Sequence, residues 1–128
     1  MFEMAPSMRL FALRGATSVV QDTAPLILAA TDELMRELMR RNALEPAQLV
    51  SCIFTLTPDL HAEFPAVAAR EMGLSNVPLL CAQELSVPGA MPRVIRTLIH
   101  HYAPENHVPQ HVYLGEAAKL RLDIEGAQ

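Results

Sequence analysis

The sequence predicts an α+β fold, an α/β-type sandwich in which a mixed β-sheet carries helices on one face. Three observations support this fold class. The 128 residues fit one domain, and 51% of them are hydrophobic, which is enough to fill a core. Strand-like and helix-like segments alternate along the chain. The elements are too few to cover both faces of a sheet, so we expect oligomerisation to cover the second face.

The first half of the chain contains a predicted strand and a long predicted helix. Residues 8–14 have the apolar character of a strand. The segment Asp22-Thr23-Ala24-Pro25 combines a capping side chain with an early proline, which is typical of a helix start. From 24 to 42, apolar residues recur at helical spacing, at Ile27, Ala30, Leu34 and Leu38. Two oppositely charged pairs on the other face are one turn apart: Asp32 with Arg36, and Glu37 with Arg41.

The middle of the chain predicts two further strands around a short helix. Residues 49–57 alternate between apolar Cys52, Phe54 and Leu56 and polar Ser51, Thr55 and Thr57. Residues 65–72 form a short predicted helix, and Gly73 follows it as a helix terminator. Residues 77–82 form the third predicted strand.

The last part of the chain is ambiguous by pattern alone. The apolar spacing of residues 93–102 suits a helix, whereas the β-branched residues and the polar alternation suit a strand. Residues 111–114 and 117–121 predict a final extended or short helical region. We expect residues 1–7 to be a flexible leader, 8–123 a single domain, and 124–128 a mobile C-terminal tail.

Composition excludes several classes of function. The formal net charge of -4 argues against a nucleic-acid-binding protein. No apolar run is long enough to span a membrane, and no signal peptide is evident. Cys52 and Cys81 both lie in apolar, strand-like sequence, which favours reduced thiols over a disulfide framework. We therefore expect a cytoplasmic protein without membrane or nucleic-acid partners.

Arginines in apolar segments predict a site for a small anion. Arg14 ends one apolar strand, and Arg96 lies inside a second apolar run. A guanidinium is costly to desolvate and offers a planar fork of donors that fits carboxylates. Glu84, in another apolar run, is the acidic counterpart. For any arginine alone, Arg70 and Arg121 included, the alternative is an unrelated surface residue.

Other kinds of chemistry have weaker support. The adjacent His100 and His101 would point to opposite faces of a strand, and no HxH or HExxH spacing occurs, so we expect no metal site. Cys81 could act as a nucleophile with a histidine base, but a buried structural thiol is the commoner case. The glycines are isolated, so no phosphate-binding loop is predicted.

An ordered set of motifs containing these residues resembles one enzyme family. The motifs are Arg14-Gly-Ala-Thr17, Thr57-Pro-Asp-Leu-His-Ala62, Phe64-Pro-Ala66, Arg70-Glu71, Val77-Pro78, Cys81-Ala-Gln-Glu84, Ile95-Arg96, His111-Val-Tyr-Leu114 and Leu120-Arg121. The chain resembles the monofunctional, trimeric chorismate mutases of the pseudo-α/β-barrel class, and not the all-helical chorismate mutases. The resemblance covers roughly residues 8–123, and the order and spacing of the motifs make it specific.

The resemblance implies both an activity and an assembly. Enzymes of this family convert chorismate to prephenate, a Claisen-type [3,3] rearrangement of the shikimate pathway that leads to phenylalanine and tyrosine. Three subunits form the pseudo-α/β barrel, and the active sites lie at the subunit interfaces. No cofactor or metal takes part. The resemblance also favours a strand for residues 93–102.

The resemblance further implies roles for individual residues. Arg96 would contact the ether oxygen of the breaking bond. Arg14 and Tyr113 would bind carboxylates. Glu84 would accept a hydrogen bond from the ring hydroxyl, with Cys81 beside it.

The remaining predicted site residues would shape the pocket. Its apolar lining would come from Phe64, Ala66, Leu79, Leu80 and Leu120. Arg70 and Arg121 would add positive field near its mouth. This chain departs from the family pattern at Val67, where many relatives carry a lysine, and at Leu80, where a hydroxyl residue is frequent. Two rival functions are a non-catalytic trimeric binder of small anions and an enzyme that acts on imines or enamines.

Overall fold

The computed structural model describes residues 7–120, which form a five-stranded sheet and two α-helices, and residues 118–120 are helical as well. The strands are β1 (Met8–Ser18), β2 (Leu49–Leu56), β3 (Leu79–Gln83), β4 (Val94–Pro104) and β5 (Val112–Leu114). The helices are α1 (Ala24–Arg41) and α2 (Pro65–Glu71), with 3₁₀ turns at Pro46–Gln48 and Gly115–Ala117. Most of the predicted leader and all of the predicted tail lie outside the described residues. Within residues 7–120, no helix is long and apolar enough to cross a membrane.

The sheet is mixed, in the strand order β3-β2-β4-β1-β5. The long central strand β4 pairs antiparallel with both β1 and β2. The edge strands β3 and β5 pair parallel with β2 and β1. The predicted fold class is therefore confirmed, and the ambiguous segment 93–102 is a strand. Its hydrogen-bonding partners on both sides decide what its own periodicity left open.

Helix α1 begins and pairs its charges as predicted. Thr23 caps it, since the Leu26 N–H donates to Thr23 Oγ1 at 3.3 Å. The predicted pairs form, with Arg36 Nε 2.9 Å from an Asp32 carboxylate oxygen and Arg41 Nε 2.8 Å from Glu37. Hydrogen bonds from Arg40 and Arg41 lower the pKa of Glu37 to about 2. These groups face solvent, so they contribute little to the stability of the fold.

One face of the sheet is packed against the helices, and we call it the covered face. It carries Leu13, Phe54 and Ile99, which lie on β1, β2 and β4 and are fully buried. They share one core cluster with side chains from both helices: Leu34, Met35, Leu38, Ala66 and Ala69. Gly15 allows α1 to approach, because a Cβ atom there would lie 2.7 Å from Leu38 Cδ1.

Several strand boundaries differ from the prediction, and those of β1 and β3 have a clear physical cause. β1 continues four residues past Arg14 to Ser18, because residues 15–18 pair with β4 and residues 15–17 also pair with β5. β3 begins at Leu79, two residues later than predicted. Pro78 has no N–H to donate to a ladder, although its carbonyl accepts from Cys52 N–H at 3.0 Å.

Candidate active site

The strand register gathers predicted site residues on the face opposite the helices. Tyr113 on β5 pairs with Ala16 on β1, and Ala16 pairs with Arg96 on β4. Arg96 in turn pairs with Thr55 on β2. Directly paired residues point to the same side of a sheet, and so does Arg14, two residues before Ala16. We call this side, which carries Arg14, Thr55, Arg96 and Tyr113, the open face.

Arg96 and Glu84 form an ion pair at the centre of the candidate site. Arg96 Nη1 contacts Glu84 Oε1, and Thr55 Oγ1 donates to Glu84 Oε2 at 2.8 Å. The Glu84 backbone is fixed as well, since its N–H donates to Leu56 O at 2.8 Å. The Arg96 side chain is 41% exposed and that of Glu84 is 20% exposed. A guanidinium has five N–H donors, so an oriented cation remains available to an anion.

A cavity of about 660 Å³ opens beside this ion pair, between the end of β3 and the start of β4. Its volume lies within the range of small-molecule sites. Arg96 and Glu84 line it together with Thr57, Asp59, Gln83 and Met91. The cavity therefore combines charged, polar and apolar surface around an oriented guanidinium.

Arg14, Tyr113 and Leu120 lie farther along the open face, outside the lining of that cavity. Arg14 is half-buried, and its backbone N–H donates to His111 Nδ1 at 3.0 Å. This bond ties β1 to the segment that leads into β5. Tyr113 and Leu120 are half-buried against a small cluster around Ala16. Two strands thus hold Arg14 and Tyr113 on the same side of the sheet as Arg96.

Cys81 and Phe64 lie together, but at a different place from Arg96. Cys81 pairs with Phe54, and its side chain packs against the core on the covered face. Phe64 is 64% exposed and lines a second cavity, of about 320 Å³, with Cys81 and His61. Within this chain, the Cys81 thiol and the Glu84 carboxylate are on opposite faces of the sheet.

The other predicted lining residues are dispersed. Ala66 is buried in the core cluster, and Leu79 packs against it. Leu80 is 60% exposed and pairs with Ile53 on the open face. Arg70 is exposed on α2. Arg121 lies outside the described residues. One chain therefore brings Arg96 and Glu84 into contact and leaves Phe64 and Cys81 apart from them.

Thr55 is a site residue that sequence reasoning did not select. Its hydroxyl holds one oxygen of Glu84 while Arg96 contacts the other. The polar alternation of β2 contained the signal, because it placed Thr55 on the face opposite Phe54. The missing information was that Glu84, 29 residues later in the chain, returns to that position.

No metal-binding arrangement occurs in the described part of the chain. Residues 7–120 contain no group of three or more His, Cys, Asp or Glu side chains placed to hold a metal ion. The polar groups of the candidate site are the carboxylates of Glu84 and Asp59, the Gln83 amide, the Arg96 guanidinium and hydroxyls. This donor set suits hydrogen bonding and charge stabilisation of an organic anion.

The fold and the open face together define an α+β protein that has a paired guanidinium and carboxylate beside a cavity. Comparison with known proteins narrows this class. Residues 10–124 match the family model described as chorismate mutase type I. Chorismate mutase AroH of Thermus thermophilus is 46% identical over 119 residues, which cover 91% of this chain and 97% of that protein. Chorismate mutase AroH of Bacillus subtilis (strain 168) is 39% identical over 117 residues, covering 88% and 90%.

A solved structure agrees with the sequence comparisons. A chorismate mutase from Clostridium thermocellum superposes with a TM-score of 0.82 at 41% sequence identity. The match covers 85% of this chain and 98% of that one. The chain therefore belongs to the chorismate mutase type I family, and the resemblance inferred from the motifs is confirmed.

Proposed function

We propose that this protein is a chorismate mutase that isomerises chorismate to prephenate. The single observation that carries the proposal is the Arg96–Glu84 ion pair, which holds an accessible cation beside a cavity of about 660 Å³. Membership of the chorismate mutase type I family supports the same activity. Because the rearrangement is intramolecular, the product prephenate contains the same atoms as chorismate.

The chemistry of the rearrangement explains why an electrostatic site suffices. Chorismate is a dianion that must adopt a compact conformer before the new C–C bond can form, and holding that conformer lowers the entropic part of the barrier. As the C–O bond breaks first, the ether oxygen becomes partly negative. A cation fixed beside that oxygen binds the transition state more tightly than the ground state. The reaction requires no nucleophile, proton transfer, metal or cofactor.

We assign the roles as follows. Arg96 stabilises the ether oxygen, and Glu84 both orients Arg96 and accepts a hydrogen bond from the ring hydroxyl. Arg14 and Tyr113 bind the carboxylates from the neighbouring strands. These assignments are supported by the register that puts Arg14, Arg96 and Tyr113 on one face.

We further propose a homotrimer whose active sites are completed between subunits. The open face exposes apolar side chains, with Leu10 47%, Leu80 60% and Tyr102 47% exposed, and a neighbouring copy would cover them. A neighbour would also bring its Phe64 and Cys81 close to Arg96 and Glu84 of this chain. Within one chain these two pairs of residues are apart. Phe64, Ala66, Arg70, Leu79, Leu80, Leu120 and Arg121 remain proposed pocket residues.

The proposed location is the cytoplasm. Cys52 and Cys81 are both free thiols. Free thiols are typical of a reducing compartment, in which a soluble enzyme of primary metabolism would work.

The deciding experiment follows the ultraviolet absorbance of chorismate after purified protein is added, with prephenate identified as the product. We expect conversion without added metal or cofactor, and a trimer by light scattering after size-exclusion chromatography. A folded trimer that binds chorismate without converting it would replace this proposal with the anion-binding function. Conversion of imines instead of chorismate would replace it with the other rival.

A further inference from the structure

The segment Thr57–Ala62 is part of the family motifs, and two of its residues, Thr57 and Asp59, line the cavity beside Arg96. It follows β2 and turns back across the start of β4. The Asp59 carboxylate is the centre of its contacts. Asp59 Oδ1 accepts from Thr57 Oγ1 at 2.6 Å, and both carboxylate oxygens accept from the Arg93 backbone N–H, at 3.1 and 3.0 Å.

Arg93 is held in an unusual backbone conformation immediately before β4. Its φ is 51°, in the left-handed region that favours glycine. A residue other than glycine, such as Arg93, adopts this conformation at a cost of about 1–2 kcal/mol, so surrounding contacts must impose it. Val19 supplies two of them, since Val19 N–H donates to Arg93 O at 2.8 Å and Arg93 Nε donates to Val19 O at 3.1 Å. Asp59 supplies the others, by accepting from the Arg93 backbone N–H.

The same network reaches the first residue of β4. Val94 N–H donates to Thr57 Oγ1 at 3.0 Å, and Thr57 N–H donates to Val94 O at 3.0 Å. Thr57 is therefore bonded both to Asp59 and to the strand. Arg96 lies only two residues after Val94, on the same face of β4. A shift at the start of the strand would be transmitted directly to the Arg96 side chain.

We propose that Asp59 is a positioning residue for Arg96. Its carboxylate fixes the Arg93 turn and Thr57, and these fix the start of the strand that aims the guanidinium. The inference rests on the proposed role of Arg96 in the rearrangement. The charge state of Asp59 suits this function. Although burial raises its pKa, the hydrogen bonds from Thr57 and Arg93 outweigh that effect, and the pKa lies below its ordinary value.

Asp22 provides a matched control within the same structure. Asp22 Oδ1 accepts from the backbone N–H groups of His61 and Ala62, both at 3.0 Å. Asp22 thus holds the far end of the same loop through two bonds to backbone N–H groups. None of these contacts involves β4, so Asp22→Ala loosens the loop without releasing Arg93.

The test compares Asp59→Ala, Asp59→Asn and Asp22→Ala by chorismate turnover, after circular dichroism and size-exclusion chromatography establish that each is folded and assembled. We expect Asp59→Ala to lower kcat by about 10- to 100-fold, because small misplacements of a catalytic group have effects of that order. Change in KM should be much smaller. Asp59→Asn should recover most of kcat, since an amide oxygen can still accept from Thr57 and Arg93. Asp22→Ala should stay near the wild-type kcat.

A double-mutant cycle with Arg96→Lys separates positioning from a general structural role. If Asp59 acts through Arg96, Asp59→Ala should cost far less in the Arg96→Lys background. Equal losses in both backgrounds, or a normal kcat in folded Asp59→Ala, would overturn the proposal. An Arg96→Ala enzyme of normal activity would refute the role of Arg96 itself, which is a distinct outcome of the same assay.

Discussion

The two faces of the sheet differ sharply in chemistry although the same strands supply both. The covered face carries fully buried Leu13, Phe54 and Ile99 against two helices. The open face carries Arg14, which follows Leu13 directly on β1, and Arg96, which lies three residues before Ile99 on β4. Because side chains alternate along a strand, neighbouring residues can serve stability and chemistry separately. Substitutions on the two faces should therefore fail in different ways.

Leu13 and Arg14 give the most direct test of this separation. Leu13→Ala removes a fully buried side chain from the core cluster and should lower the free energy of unfolding by about 2–5 kcal/mol. Arg14→Ala removes a proposed carboxylate-binding cation and should mainly raise KM, with little change in unfolding. Urea denaturation and steady-state kinetics of the two variants measure both quantities. A comparable loss of stability in both would contradict the division between faces.

Arg96 should show the largest effect on catalysis from the open face. Arg96→Ala is expected to lower kcat by about 10²- to 10³-fold, as for loss of one donor to a developing anion. Arg96→Met should fail similarly, because the requirement is positive charge. Arg36→Ala is the matched control, since Arg36 pairs with Asp32 on the exposed side of α1. Near-normal turnover of either Arg96 variant would remove Arg96 from the mechanism.

Thr55 should have an intermediate effect, because it acts on Glu84. Thr55→Val keeps the side-chain shape but leaves Glu84 Oε2 without its 2.8 Å donor. A hydrogen bond to a charged group is worth about 1.5–3 kcal/mol, so we expect kcat/KM to fall roughly tenfold or more. Thr55→Ser retains the hydroxyl and should stay close to wild type. Equal activity of the Val and Ser variants would show that the hydroxyl is not needed.

A buried histidine ring on the covered face should make stability depend on pH. His101 is fully buried next to Phe11 and His107, and burial lowers its pKa below the ordinary value of 6.5. Arg9 lies over the Phe11 ring, and His100 is the next residue on β4. The unfolded ring takes up a proton at a higher pH than the folded one, so stability should fall as pH drops below about 6.5.

Replacement of His101 tests this dependence. His101→Phe keeps a ring beside Phe11 and removes the titration. Urea midpoints measured at about pH 7.5 and about pH 5.5 should differ less in the variant than in the wild type. If the two proteins lose stability equally, another group is responsible.

The smallest expected effect concerns the two cysteines, which should differ in their reactivity towards a thiol reagent. Burial raises the pKa of Cys52 to about 12, and its Sγ lies 3.1 Å from Thr97 Oγ1. Cys81 is half-exposed at the cavity that Phe64 lines. A thiol reagent should therefore modify one cysteine in the folded protein and both after denaturation. Chorismate should slow the modification of Cys81 in the folded protein. An unchanged rate would show that the Cys81 cavity is not part of the substrate site.

Much of this protein follows from local sequence. The capping Thr23, the helical spacing and the charge pairs specify α1 through interactions within four residues, which a single segment contains. The alternation along β2 likewise determines which side chains share a face. The motifs around Arg14, Glu84 and Arg96 were sufficient to predict the family, because their order and spacing are specific.

Tertiary structure decided the strand identity of 93–102, the length of β1 and the contacts of the site. β4 is a strand because β1 and β2 flank it on both sides, and residues 15–18 extend β1 because β4 and β5 offer them partners. Thr55 and Arg96 meet through that register, and Glu84, which follows β3, contacts both of them. Hydrogen bonds between strands depend on the whole sheet, so no local pattern contains them, whereas hydrogen bonds within a helix join near neighbours and can be read directly.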